Sequence, residues 1–229
     1  FKPAVSAILN LTPDHLNRHH TMKAYGQAKA KIFANQSEDG YLVINYDDKA
    51  CYRLSAGCRA RVIPFSRREE LDLGAFILDG RIVIKNEEGN IIDICGTDQL
   101  RIIGDHNLEN ALAAAAIAYF AGIDEKTIGR TIGDFAGVEH RLEFCGEIEG
   151  VKYYNDSKGT NVDAAVTALK AVKENIVLIA GGDAKGQTFD SFIEAFCGRV
   201  KKLILLGRDA HFIQEAAQRH GFNDYVFCR

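Results

Sequence analysis

Val151-Lys152-Tyr153-Tyr154-Asn155-Asp156-Ser157-Lys158-Gly159-Thr160-Asn161 passes from a strand-like apolar and aromatic run into a cluster of helix-starting side chains. The segment just upstream, Leu142 to Ile148, reads as its hairpin partner. Downstream the pattern alternates: a helix from about Val162, strand Ile176 to Ala180, helix Phe189 to Phe196, strand Leu203 to Leu206, helix Ala210 to His220, and strand Tyr225 to Cys228. That order predicts a doubly wound α/β sheet. The turn Asn155 to Asn161 offers backbone N–H groups, a carboxylate, a lysine and two hydroxyls around a helix N-terminus, all suited to anionic oxygens. A plain capping turn needs only one of those side chains.

Upstream, Val5 to Leu11, Tyr41 to Asn45 and Arg61 to Phe65 read as strands separated by a helix from Thr21 to about Asn35 and a helical segment near Asp48 to Leu54. This is the rhythm of a parallel sheet. Asp79-Gly80, between Ala75–Leu78 and Arg81–Ile84, is a strong hairpin signal, and Ile91 to Cys95 adds a further strand, so an antiparallel patch decorates the first sheet. Asn107 to Ala121 is an alanine-rich helix closed by Gly122, and Glu125 to about Phe135 is a shorter one. The pattern restarts beyond Glu139, which places a domain boundary there: 1–139 and 140–229.

The 229 residues are 47% hydrophobic and 26% charged, with a net charge of -3 spread in mixed-sign groups. No basic face for nucleic acid or lipid is evident, and a small polar substrate is expected instead. No apolar run approaches the roughly 20 residues that span a bilayer, and no secretory signal is recognisable, so the expected location is the cytoplasm. The six cysteines form no C-x-x-C pair and sit beside apolar neighbours, which reads as reduced, mostly buried thiols. The chain opens at Phe1 close to a strand and stops at Arg229 while the alternation is running, so it reads as a piece of a longer product.

Several groups can carry chemistry. Asp14-His15, with Asn17-Arg18-His19-His20, lies in the loop after the first strand, where open α/β sheets place ligand contacts; a solvated polar turn is the plain alternative. Lys29 stands on the next helix, where a solvated lysine is the ordinary reading. In Gly104-Asp105-His106-Asn107-Leu108-Glu109-Asn110, Asn107 can serve as a simple cap, whereas Asn110 lies one turn in, where a structural helix favours a stronger helix former. His140-Arg141 sets a fixed cation at the proposed boundary. Gly181-Gly182-Asp183-Ala184-Lys185 follows a strand, yet neither G-x-x-x-x-G-K-[ST] nor G-x-G-x-x-G occurs in the chain, so no phosphate loop of those kinds is present.

Taken in order, these segments resemble the Mur ligases. Leu9-Asn10-Leu11-Thr12-Pro13-Asp14-His15-Leu16-Asn17-Arg18-His19 is similar to the family's post-strand loop, and Gly104 to Ala111 to its nucleotide-facing helix start. Asn155-Asp156-Ser157-Lys158-Gly159-Thr160-Asn161 has the form of the family's D-glutamate-adding branch, with Gly159 where alanine is common. The resemblance implies a partial central ATPase domain at 1–139 without its P-loop, and a truncated Rossmann-like ligase domain at 140–229. It implies ATP-dependent amide-bond formation in the whole protein, with ATP, UDP-N-acetylmuramoyl-L-alanine and D-glutamate as partners, no nucleic acid or membrane partner, and a monomeric state.

By the same resemblance Lys29 is carbamylated and binds magnesium with His15. Asn110, Arg141 and Asp156 contact ATP, Lys158 acts in catalysis, and Thr160, Lys185 and Asp14 contact substrate. The isolated chain is expected to fold without turning over ATP. Another Mur-type or folylpolyglutamate-type ligase, and a non-catalytic nucleotide-binding module, stay open as alternatives.

Overall fold

The structure is a computed structural model that describes residues 1–13, 16–173, 175–183 and 187–228, with Leu16 and Asn17 described by backbone alone. Its contacts divide the chain into two compact units, Phe1–Ala136 and Gly137–Arg229.

In the first unit, β1 (Val5–Ile8) precedes two helices, α1 (Leu16–His19) and α2 (Met22–Ala30). Then come β2 (Tyr41–Asn45), α3 (Lys49–Tyr52), β3 (Arg61–Ser66), β4 (Gly74–Leu78), β5 (Arg81–Lys85) and β6 (Ile91–Gly96). Helices α4 (Asp105–Phe120) and α5 (Glu125–Asp134) complete it. The six strands form one sheet in chain order, parallel from β1 to β4 and antiparallel from β4 to β6. The antiparallel strands therefore continue the main sheet. Asp79 and Gly80 both have positive φ (48° and 74°), the backbone form that matches a two-residue hairpin to the twist of its strands.

Strand β2 reads YLVIN because both its faces are covered. Val43 joins Ile63, Phe65, Ile82, Ile84 and the α4 residues Ala111, Leu112, Ala115 and Ala116 in one core, while Leu42 and Ile44 join Ile8, Phe33 and Cys51 in another. The alanines of α4 remove side-chain bulk, so that helix lies close against the sheet. Close approach also explains Gly129 in α5, where an added Cβ would stand 2.2 Å from the Ile94 carbonyl oxygen.

The second unit contains β7 (Glu143–Ile148), β8 (Val151–Asn155), α6 (Val162–Ala171), β9 (Ile176–Gly181), α7 (Asp190–Glu194), β10 (Val200–Leu206), α8 (Ala210–Arg219) and β11 (Tyr225–Phe227). Strands β9, β10 and β11 form a parallel sheet in the order β11-β10-β9, and β7 and β8 form a separate antiparallel pair. Leu203 and Leu205 are fully buried against Phe192, Phe196, Ile213, Ala216 and Leu169.

Three sequence expectations are corrected. Strand β1 ends at Ile8 instead of Leu11, because beyond its last pair, Ile8 with Ile44, side chains take over the backbone groups. Helix α4 is capped by Gly104 and not by Asn107, whose amide instead donates to the Ile103 carbonyl at 2.8 Å. All six cysteines are free, but only Cys51 and Cys95 are buried, while Cys145, Cys197 and Cys228 are exposed. The aromatic neighbours Phe144 and Phe227 belong to a hairpin and an edge strand that are themselves exposed.

Candidate active site

Parallel pairing of β1, β2 and β3 brings their carboxyl ends to one edge of the first sheet, the edge where open α/β sheets bind ligands. Three short segments meet there: Leu9 to Leu11, through its backbone, and the polar Asn45 to Asp48 and Ser66 to Arg67. The buried Asn45 donates from Nδ2 to the Leu9 carbonyl at 2.9 Å, and its Oδ1 accepts the Asp47 and Asp48 N–H groups at 2.9 and 3.3 Å. Asp47 accepts from the Ser66 hydroxyl at 2.7 Å and the Arg67 N–H at 2.9 Å. Asp48 caps α3 through Oδ1 and accepts the Leu11 N–H through Oδ2 at 2.7 Å.

Lys29 reaches this edge from α2. Its Nζ donates to the Asn10 carbonyl at 2.7 Å and lies 5.0 Å from the centre of the Tyr25 ring. The start of α4 is tied to the same edge by Arg67, whose guanidinium meets Asp105 at 3.1 Å and Glu109 at 3.3 Å. Asn110, next to Glu109, is exposed and shares a 3.4 Å amide contact with Asn107. Asp14 and His15 lie outside the described residues.

Cys51 lies under the network, its thiol 3.4 Å from the Ile8 carbonyl. Burial, reinforced by the Asp48 carboxylate, pushes that thiol up to about 12. It stays protonated and unreactive at neutral pH.

In the second unit the segment after β8 is folded by its own side chains. Asp156 Oδ1 accepts the Leu142 N–H at 2.9 Å, Lys158 N–H donates to the His140 carbonyl at 2.9 Å, and Asn155 Nδ2 contacts His140 Nδ1 at 2.8 Å. Arg141 is thus clasped between two anchored neighbours, its own side chain exposed. Asn161 caps α6 through the Ala164 N–H, and Gln187 Oε1 accepts the Val162 N–H at 2.9 Å, which joins the segment after β9 to the start of α6. Lys158 and Thr160 are exposed beside this helix start. Lys185 lies outside the described residues.

An alanine at position 159 would set its Cβ 2.6 Å from Asp156 Oδ2, so in this chain the carboxylate occupies space that a methyl would claim. At the ends of β9 and β10, Gly181 and Gly207 have φ of 154° and 88°. A Cβ on Gly181 would meet the Leu206 carbonyl oxygen, and these glycines let the two strand-end loops touch at the sheet's carboxyl edge.

The structure therefore gathers Arg141, Asp156, Lys158 and Thr160 in one unit, and anchors Lys29 and the Asn110 helix to one sheet edge in the other. Sequence reasoning missed Asn45, Asp48, Arg67 and Gln187. The run Asn45-Tyr46-Asp47-Asp48, set directly against a buried strand end, is the signal that points to the first two. Among the described residues no group of three or more His, Cys, Asp and Glu is arranged to hold a metal.

The chain belongs to the Mur ligase family: residues 1–118 match the Mur ligase middle domain, and residues 140–229 match the glutamate ligase domain. It is similar throughout to a particular member, the UDP-N-acetylmuramoylalanine--D-glutamate ligase of Thermoanaerobacter sp. (strain X514), at 51% identity over 100% of this chain and 50% of the relative. The ligase of the same name from Clostridioides difficile (strain 630) is 46% identical over 98% of this chain and 49% of its own length. The chain thus spans about half the length of these relatives. Among solved structures it is similar in fold to MurF from Acinetobacter baumannii, with a TM-score of 0.72, 20% identity, and coverage of 98% of this chain and 50% of that one. Folylpolyglutamate synthase from Thermotoga maritima shares the fold at a TM-score of 0.66, with 17% identity, 99% of this chain and 54% of that one.

Proposed function

We propose that the whole protein is a cytoplasmic, ATP-dependent ligase that joins D-glutamate to UDP-N-acetylmuramoyl-L-alanine, with 1–139 belonging to its ATPase domain and 140–229 to its ligase domain. The observation that carries this reading is the clasp around Arg141, in which Asp156 and Lys158 are fixed through Leu142 and His140. Identity of 51% to a D-glutamate ligase across the full chain supports the choice of amino acid.

In this mechanism the alanyl carboxylate attacks the γ-phosphorus of ATP and the bond to ADP breaks, leaving an acyl phosphate. The amine of D-glutamate attacks the acyl carbon, phosphate departs with its bonding pair, and the nitrogen gives up a proton. The residues act by position and charge. Asn110, Arg141 and Asp156 hold adenine and ribose. Lys158 offsets charge growing on the transferred phosphate, while Thr160, Lys185 and Asp14 orient substrate.

Lys29 fits this scheme in a modified form. An ammonium is no metal ligand, but a neutral amine that adds carbon dioxide and loses a proton becomes an anionic oxygen donor of the kind magnesium favours. Lys29 as carbamate, with His15, would hold the ion, which supplies charge neutralisation at the phosphates.

The test uses the full-length protein with ATP, UDP-N-acetylmuramoyl-L-alanine and a panel of amino acids. Phosphate release is expected with D-glutamate and is expected to be lost on Lys29→Ala and partly restored by a short carboxylate. Preference for another amino acid, or full activity of the alanine variant, would overturn the reading. The same experiment on residues 1–229 is expected to give no turnover.

A further inference from the structure

The peptide unit joining Asn10 to Leu11 is gripped at both ends by charged side chains. Its carbonyl oxygen accepts from Lys29 Nζ at 2.7 Å, and its N–H donates to Asp48 Oδ2 at 2.7 Å. A trans peptide points its carbonyl and N–H in opposite directions, so ammonium, peptide dipole and carboxylate stand head to tail. In that order each hydrogen bond polarises the next, and both are charge-assisted.

The neighbouring backbone groups are held as well. Asn45 takes the Leu9 carbonyl and Cys51 the Ile8 carbonyl, so the segment leaving β1 exchanges strand pairing for side-chain partners residue by residue. Asn45 also accepts the Asp48 N–H, which sets the Asp48 carboxylate in place. Capping α3 uses only Asp48 Oδ1, with bonds of 3.0 and 2.9 Å to Ala50 and Cys51. Among the described residues, the second oxygen accepts the Leu11 N–H and takes no part in the cap.

We propose that Asp48, set by Asn45, is a positioning residue for Lys29. It fixes the Asn10–Leu11 peptide, and that peptide fixes the direction of Nζ. The proposal rests on the reading of Lys29 as a carbamylated lysine. After carbon dioxide has added and the extra protons have left, one N–H remains on Nζ. It still donates to the Asn10 carbonyl, so the same peptide decides where the carbamate oxygens point.

Two variants of the full-length protein separate this role from capping. Asp48→Ser keeps a hydroxyl that caps α3 but is too short to reach Leu11. Asp48→Asn keeps the length but offers one acceptor oxygen for two tasks. Both are expected to lower kcat by about 10- to 100-fold with KM for D-glutamate changed less than about twofold, the range seen when support behind a metal ligand is removed. Amide exchange at Leu11 is expected to accelerate while α3 in the serine variant keeps its protection. The carbamate signal from 13C-labelled bicarbonate is expected to weaken or shift.

Unchanged kcat with accelerated Leu11 exchange would overturn the proposal, as would a loss of activity matched by equal loss of α3 protection. If the serine variant does not fold, the asparagine variant is judged by the same criteria. Lys29→Ala, measured alongside, keeps the two claims apart. Normal ligation there defeats the carbamate reading itself, whereas an inactive alanine variant beside fully active Asp48 variants defeats only the positioning role.

Discussion

The Asp156 carboxylate accepts the backbone N–H of Leu142 at 2.9 Å and so couples the segment after β8 to the residue following Arg141. Because this partly buried N–H has a charged acceptor, Asp156→Ala is expected to cost the second unit about 1–3 kcal/mol. In the full-length protein it is expected, on the proposed function, to raise KM for ATP more than it lowers kcat, since Arg141 loses its anchored neighbour. Asp156→Asn retains an acceptor oxygen and should recover most of the stability. Thermal unfolding and ATP titration check both outcomes, and an unaltered KM for ATP in the alanine variant would contradict the role.

Arg67 does for the first unit what Asp156 does for the second, since it ties the end of β3 to Asp105 and Glu109 in the first turns of α4. Asp105 is largely exposed and Glu109 is half-buried, so Arg67→Met, which keeps the stem, is expected to cost only about 1 kcal/mol. The loss should shrink as salt rises. If Asn110 contacts adenine, KM for ATP rises severalfold in the full-length protein. A stability loss that ignores salt would show that the ion pairs to Asp105 and Glu109 are not what holds the helix.

These two anchors mark the border of what the sequence discloses. Strand and helix order was legible because β2, β3, β9 and β10 carry dense apolar runs and Asp79-Gly80 demands its hairpin backbone. The Asn155–Asn161 segment was legible because its polar groups exceed what a cap uses. Asn45 and Asp48 left only the polar run after β2 as a signal, because singly each looks like an ordinary strand end or cap until the fold carries Leu9 and Leu11 alongside. Local apolar neighbours likewise misled on Cys145 and Cys228, since exposure of a hairpin or edge strand is set by what packs over it.

Cys51 supplies a pH dependence. Its thiol is pushed by burial, and then by Asp48, from 9.0 to about 12. Above the lower value the unfolded chain gives up this proton while the native chain keeps it, so the native state binds more protons and stability falls as pH rises through that window. Below it the contribution is fully present. Denaturant midpoints are expected to fall from about pH 9 upward, and less steeply in Cys51→Ala, once the cavity cost has been measured at neutral pH. Native-state alkylation near neutral pH should label Cys145, Cys197 and Cys228 and spare Cys51. Fast labelling of Cys51 would mean that the sheet edge above it opens.

Gly129 and Gly133 lie one turn apart in α5, yet the fold treats them differently. A Cβ on Gly129 would stand 2.2 Å from the Ile94 carbonyl oxygen, a backbone atom of β6 that cannot turn aside, whereas a Cβ on Gly133 would meet the Gln99 carbonyl oxygen at 3.9 Å, ordinary contact. Gly129→Ala must push α5 off the sheet and is expected to cost about 1–3 kcal/mol, as overpacking does. Gly133→Ala exchanges a flexible helical glycine for the best helix former without a clash, and is expected to stabilise by about 0.5–1 kcal/mol. Since neither glycine touches the residues assigned to ligation, both variants of the full-length protein should keep the wild-type KM for ATP and D-glutamate wherever they are folded. Urea unfolding of the pair decides the matter: equal effects of one sign would mean that intrinsic helix preference, not the approach of α5 to β6, governs these positions.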